Sequence, residues 1–84
     1  MNEVKVQRIM RLQNGSMLKA CADITINDAL LVKGLRVVEG KHGAFVSMPQ
    51  MQGKDNKWYD SVKCLDEGLK AQIQDVVLFA FQNE

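Results

Sequence analysis

Eighty-four residues make one domain, 1–84, with no room for a second core, and a domain this small is only modestly stable alone. A hydrophobic fraction of 46% argues against disorder, and a net charge of +1 is not the basic balance of a protein that coats nucleic acid. The two cysteines, Cys21 and Cys64, match no C-x-x-C metal spacing and are too sparse for a disulfide scaffold, which fits a reducing cytoplasm.

In chain order, Val4, Val6, Met10 and Leu12 share one phase of an extended segment. Arg8 and Ile9 break the alternation, as a bulge or burial on both faces would. Asn14-Gly15 is a two-residue hairpin signal, because both residues tolerate positive φ. Leu18, Ala20, Ala22, Ile24 and Ile26 then alternate with polar neighbours, giving a strand with one packed face and one wet face. The small alanines leave space for something bulky above them, and the C-terminal helix is the candidate. Asn27-Asp28 marks the next turn. Ala29 to Val38 is nearly apolar on both faces, which suits a strand covered on two sides or one whose second face meets another subunit.

Leu35 to Pro49, LRVVEGKHGAFVSMP, reads as strand, glycine-flanked turn and strand, stopped by a proline that cannot donate to a ladder. Gln50 to Lys57 is polar and aperiodic with an Asp-Asn turn, so it reads as an exposed loop free to move. Trp58 to Val62 looks like a short fifth strand. Asp66 can cap a helix beginning at Glu67. Leu69, Ile73, Val76, Val77 and Ala80 fall on one helical face. Leu78, Phe79 and Phe81 carry apolar surface around the rest of the last turns, and this extra face is the expected dimer interface. Strands first and one helix last make the chain α+β: an antiparallel sheet of about five strands with a C-terminal α-helix, forming a homodimer.

Chemistry is harder to place. His42 sits in a glycine-flanked turn where imidazole is solvated. Asp60 has no second carboxylate, serine–base pair or metal set nearby in sequence, and no phosphate-binding glycine loop is present. The expectation is no enzyme, no metal and no cofactor. No basic-then-apolar leader precedes the first strand and no apolar run reaches the ~20 residues of a membrane span, so a soluble cytoplasmic protein is expected, away from membranes. What remains is a cluster of Lys54, Lys57, Lys63 and Lys70 with Trp58 and Tyr59 interleaved. Lysines neutralise phosphates, and aromatics stack on unpaired bases. The plainer alternative is a solvated segment whose lysines balance Asp55, Asp60, Asp66 and Glu67, with Trp58 in the core.

LRVVEGKHGAFVSMP, with Tyr59-Asp60 and the run Ala71 to Leu78, resembles the signature of the stage V sporulation protein G (SpoVG, septation regulator) family. The resemblance implies a dimeric antiparallel sheet with a C-terminal helix, binding DNA and RNA through basic residues after the Met-Pro and near the helix start. This chain departs from the pattern there. Gln50, Met51 and Gln52 replace a serine and a basic residue, Tyr59 replaces an arginine, and Lys63-Cys64 replaces His-Pro, while Lys70 keeps a basic residue early in the helix. Lys54, Lys57 and Lys63 are placed to compensate. Two classes follow: a dimeric nucleic-acid-binding regulator of low sequence specificity, or a protein-interaction module that kept the fold and lost that surface.

Overall fold

Four antiparallel strands lie side by side in chain order: β1 (Val4–Arg11), β2 (Leu18–Ile26), β3 (Leu30–Gly40) and β4 (Gly43–Ser47). A separate two-stranded hairpin, β5 (Gln50–Gln52) with β6 (Trp58–Asp60), follows, and then the helix α1 (Glu67–Gln82). The computed structural model describes residues 2–12 and 17–83. The expected Asn14-Gly15 turn lies outside the described residues.

The turns form where the residues permit the backbone. Asn27 and Asp28 both take left-handed conformations, φ 55° and 51°, and the Ala29 N–H donates to the Ile26 carbonyl at 3.0 Å. Their short polar side chains lower the cost of that geometry. Lys41-His42 turns β3 into β4, with Gly43 at φ 114°, where a side chain would be strained.

Register decides which side chains reach the core, and three bulges reset it. Gln7 is the extra residue in β1, so Ile9 packs inward and Met10 is turned out, 44% exposed. The inward position expected for Met10 is therefore corrected by the bulge. Lys19 is extra in β2, which pairs Leu18 with Val38 and carries it to the face opposite Ala20 and Ala22. That corrects the expectation for Leu18. The third bulge sets Lys33-Gly34 opposite Asp23, whose Oδ1 accepts from the Gly34 N–H at 3.1 Å.

The core lies between α1 and one face of the sheet. Ile24, Leu35, Val37, Ile73 and Val77 are its largest fully buried side chains, each worth roughly 1.5–3 kcal/mol relative to an exposed position. Ala20 and Ala22 are fully covered beside Ile73 and Val77, as their size anticipates. Leu69, Val76, Leu78 and Phe81 pack partly against this cluster, and Phe79 remains 69% exposed.

α1 begins as its residues dictate. Asp66 has extended backbone and its carboxylate accepts the Leu69 N–H at 2.8 Å. No basic residue occupies the last helical turn, yet the negative helix end is met from the sheet. The Arg11 guanidinium donates to the Phe81 carbonyl and lies 4.6 Å from the Phe81 ring centre. Two glutamines tie the helix to the sheet margins. Gln74 accepts from the Val46 N–H at 2.9 Å and donates to the Val46 carbonyl at 2.6 Å, and Gln72 donates to the Asn2 carbonyl at 2.6 Å. Val46 is on the edge strand β4, so Gln74 occupies backbone groups that a further strand would otherwise seek.

The expected five-stranded sheet is thus four strands plus a two-stranded hairpin. Gln50 to Lys57 is β5 and a tight turn, a correction to the loop expectation. The second face of β3, expected to be covered on this chain or to meet another subunit, is not covered within this chain around Leu31, which is 52% exposed.

Candidate nucleic-acid interface

The hairpin that carries four of the six expected site residues, Lys54, Lys57, Trp58 and Tyr59, is held by its own side chains. Gln50 pairs with Asp60, Met51 with Tyr59 and Gln52 with Trp58. At its base the Pro49 carbonyl accepts the Ser61 N–H at 3.0 Å, and Gln50 donates to Asp60 at 2.9 Å. At its tip the Gly53 N–H donates to the Lys57 carbonyl at 2.8 Å, with Asn56 left-handed at φ 65°. Asp55 organises this tip. Its carboxylate accepts from the Tyr59 hydroxyl at 2.6 Å and from the Lys57 N–H at 3.1 Å. The tyrosine hydrogen bond, then the backbone one, hold the Asp55 carboxyl below its ordinary value, and the same carboxylate pushes the Tyr59 phenol up. The Tyr59 ring also lies where a Cβ on Gly53 would fall, 2.8 Å away, so glycine is needed there.

Lys54 and Lys57 therefore share one ordered turn with Trp58 and Tyr59 beside it. Lys63 and Lys70 belong to a different piece, the segment leading into α1 and its first turn. All four lysines are exposed. Among the described residues the ion pairs are Lys5–Glu3 at 3.3 Å and Lys5–Asp28 at 3.5 Å, and none of the four takes part in one. Of the four acids that could balance them, three have other bonds, and Glu67 is exposed in the first turn of α1. Asp55 holds Tyr59, Asp60 holds Gln50, and Asp66 caps α1.

The aromatics separate into two kinds. Tyr59 is fixed by Asp55. Trp58 is 54% exposed, which overturns the core placement, and the Arg36 guanidinium sits 5.6 Å from its ring centre. Arg36 is a partner that sequence reasoning missed. Its only sequence signal is its phase, opposite to buried Leu35 and Val37. Of the expected interface residues, Leu78 and Phe81 are half-buried in their own chain, and Phe79 projects outward. A second apolar surface was also missed: a groove of about 290 Å³ lined by Ile26, Leu30, Met48, Leu65, Leu69 and Ile73, with Leu65 89% exposed. His42 is exposed in its turn, and the Cys64 thiol points to the Asp66 carbonyl at 3.3 Å. Among the described residues no helix is long and apolar enough to cross a membrane.

The fold and this surface define a small α+β domain: a four-stranded sheet under one helix, with a lysine-tipped hairpin projecting from its edge strand. The chain matches the SpoVG family over residues 1–83, and it belongs to that family. It is 32% identical over 81 residues to a relative from Desulforudis audaxviator, covering 96% of this chain and 92% of that one. A relative from Archaeoglobus fulgidus is 34% identical over 84 residues, covering 100% and 99%. One from Listeria monocytogenes serovar 1/2a is 31% identical over 80 residues, covering 95% and 78%. The first two carry the name "Putative septation protein SpoVG", and the third the same name with the number 1.

Proposed function

We propose that this chain is a non-enzymatic, dimeric cytoplasmic regulator that binds DNA or RNA with low sequence specificity and serves the control of septation, sporulation or gene expression. It needs no cofactor. Lys54 and Lys57 on the hairpin, with Lys63 and Lys70 at the helix start, neutralise phosphates. The observation that carries this reading is the exposure of the four lysines, which have no ion pair among the described residues, while three of the four nearby acids, Asp55, Asp60 and Asp66, are held in hydrogen bonds of the fold. Phosphate neutralisation releases counterions, so affinity falls as salt rises. Anisotropy titrations of single- and double-stranded oligonucleotides at two salt concentrations test it. Binding that is insensitive to salt, or that survives alanine at all four lysines, refutes the mechanism.

Dimerisation through the helix end is supported by Phe79, an aromatic side chain left 69% exposed. Light scattering of Phe79→Glu against the parent chain reads the mass directly. The second reading, a protein-interaction module, is favoured by the apolar groove beside exposed Leu65. It requires that no oligonucleotide bind at low salt and that a protein partner be lost when Leu65 is made charged.

A further inference from the structure

The face of the sheet away from α1 has a chemistry that the lysines do not explain. Cross-strand register places Leu18, Val38 and Phe45 in one row and Met10, Cys21, Arg36 and Ser47 in the next. Phe45 is 48% exposed, and Trp58 reaches this face through its contact with Arg36. Arg8 stands opposite Asp23 in a third row, and Asp23 already accepts the Gly34 N–H.

We propose that this open face is a stacking platform for an unpaired stretch of DNA or RNA, with Phe45, Trp58 and the Arg36 guanidinium as its flat contacts. The inference rests on the nucleic-acid reading above and adds the form of the ligand. Exposed rings interleaved with guanidinium groups suit bases with free π-faces flanked by phosphates. Two arginines against one committed carboxylate give the middle of the face the sign that a polyanion requires. Trp58 lies next in the chain to Lys57, so a base on the indole brings its own phosphate toward the hairpin tip. Tyr59 takes no part, because it follows Trp58 in β6 and successive side chains of a strand point to opposite faces. Duplexes hide their base faces, so the platform selects single strands.

Trp58 is the only tryptophan of the chain and reports stacking by its own emission. Oligo-dT and its duplex with oligo-dA are titrated into the full chain at low salt, following tryptophan fluorescence and anisotropy of a labelled strand. The expected result is quenching by the single strand, with tighter binding than the duplex. Phe45→Ala weakens single-strand binding about tenfold and leaves duplex affinity and salt dependence unchanged. Phe45→Leu keeps the apolar bulk without the ring and makes the same test if the alanine variant fails to fold by circular dichroism. Anisotropy binding without quenching, or equal single-strand affinity in the Phe45 variants, overturns the platform while the lysine reading stands. Absence of binding to either oligonucleotide removes both. A Phe45 variant that changes the mass by light scattering at unaltered single-strand affinity assigns the face to self-association and overturns the platform.

Discussion

Replacing Gln74 with leucine tests how the sheet edge is held. The Gln74 amide forms a two-bond clamp on Val46, accepting its N–H at 2.9 Å and donating to its carbonyl at 2.6 Å. Val46 is only 4% exposed, so water cannot freely replace either bond. Leucine keeps most of the bulk and removes both partners. Each backbone group left unsatisfied costs about 1–3 kcal/mol, so the pair costs about 2–4 kcal/mol once partial solvation is allowed for. A domain of this length has roughly 4–12 kcal/mol in total, so the loss is a large share. Urea unfolding followed by helical circular dichroism measures it, as a lower midpoint at unchanged slope. Gln74→Glu sharpens the test. A carboxylate can accept from Val46 N–H but faces the Val46 carbonyl as a second acceptor, which raises its folded pKa above the unfolded value of about 4.3. The variant's deficit is therefore smallest below that value and grows as pH rises through the folded pKa. A leucine variant within about 0.5 kcal/mol of the parent refutes the clamp, because that is the scatter of surface changes.

Three further outcomes follow from the same geometry. Asp66→Ala removes the acceptor for the Leu69 N–H and lowers stability by about 1 kcal/mol, whereas Asp66→Asn stays near the parent; thermal unfolding distinguishes them. Gly34, at φ 85° with open space around its Cα, tolerates alanine sterically but not conformationally, and Gly34→Ala costs about 1 kcal/mol by urea unfolding. Tyr59→Phe deletes the largest cause of the Asp55 shift, so its carboxyl titration, followed by carbon NMR, moves up toward the ordinary 3.8. In the parent the Asp55 pKa is depressed, so its contribution is present above the unfolded value and is lost as pH falls through the folded one. Tyr59 is raised, so its contribution is present below its ordinary 10.0 and is lost as pH climbs through the folded value. An Asp55 titration that does not respond to Tyr59→Phe rules out the bond.

Local chemistry carried much of this structure in readable form. Asn27-Asp28 announced a turn because those side chains relieve left-handed backbone, and Asp66 announced a helix start because its carboxylate suits free N–H groups. Ala20, Ala22 and Ile24 announced a packed face through their alternation with polar residues. Other features depended on partners distant in the chain. Gln50 to Lys57 has no apolar rhythm, and it is a hairpin because Tyr59, Asp55 and Pro49 bond across it. Arg36 and Trp58 are separated by 22 positions, and no local pattern links them.

The sequence by itself determined the α+β class, the order of strands and helix and the cap at Asp66, because each depends on backbone preference or periodicity within a few neighbours. The break in alternation at Arg8-Ile9 announced the bulge in β1, whereas tertiary structure alone decided where the other two bulges fall, that Ile9 rather than Met10 faces the core and that Leu18 joins Val38 and Phe45. A one-residue slip in an extended ladder reverses every side chain beyond it, and only the partner strand sets where that slip occurs.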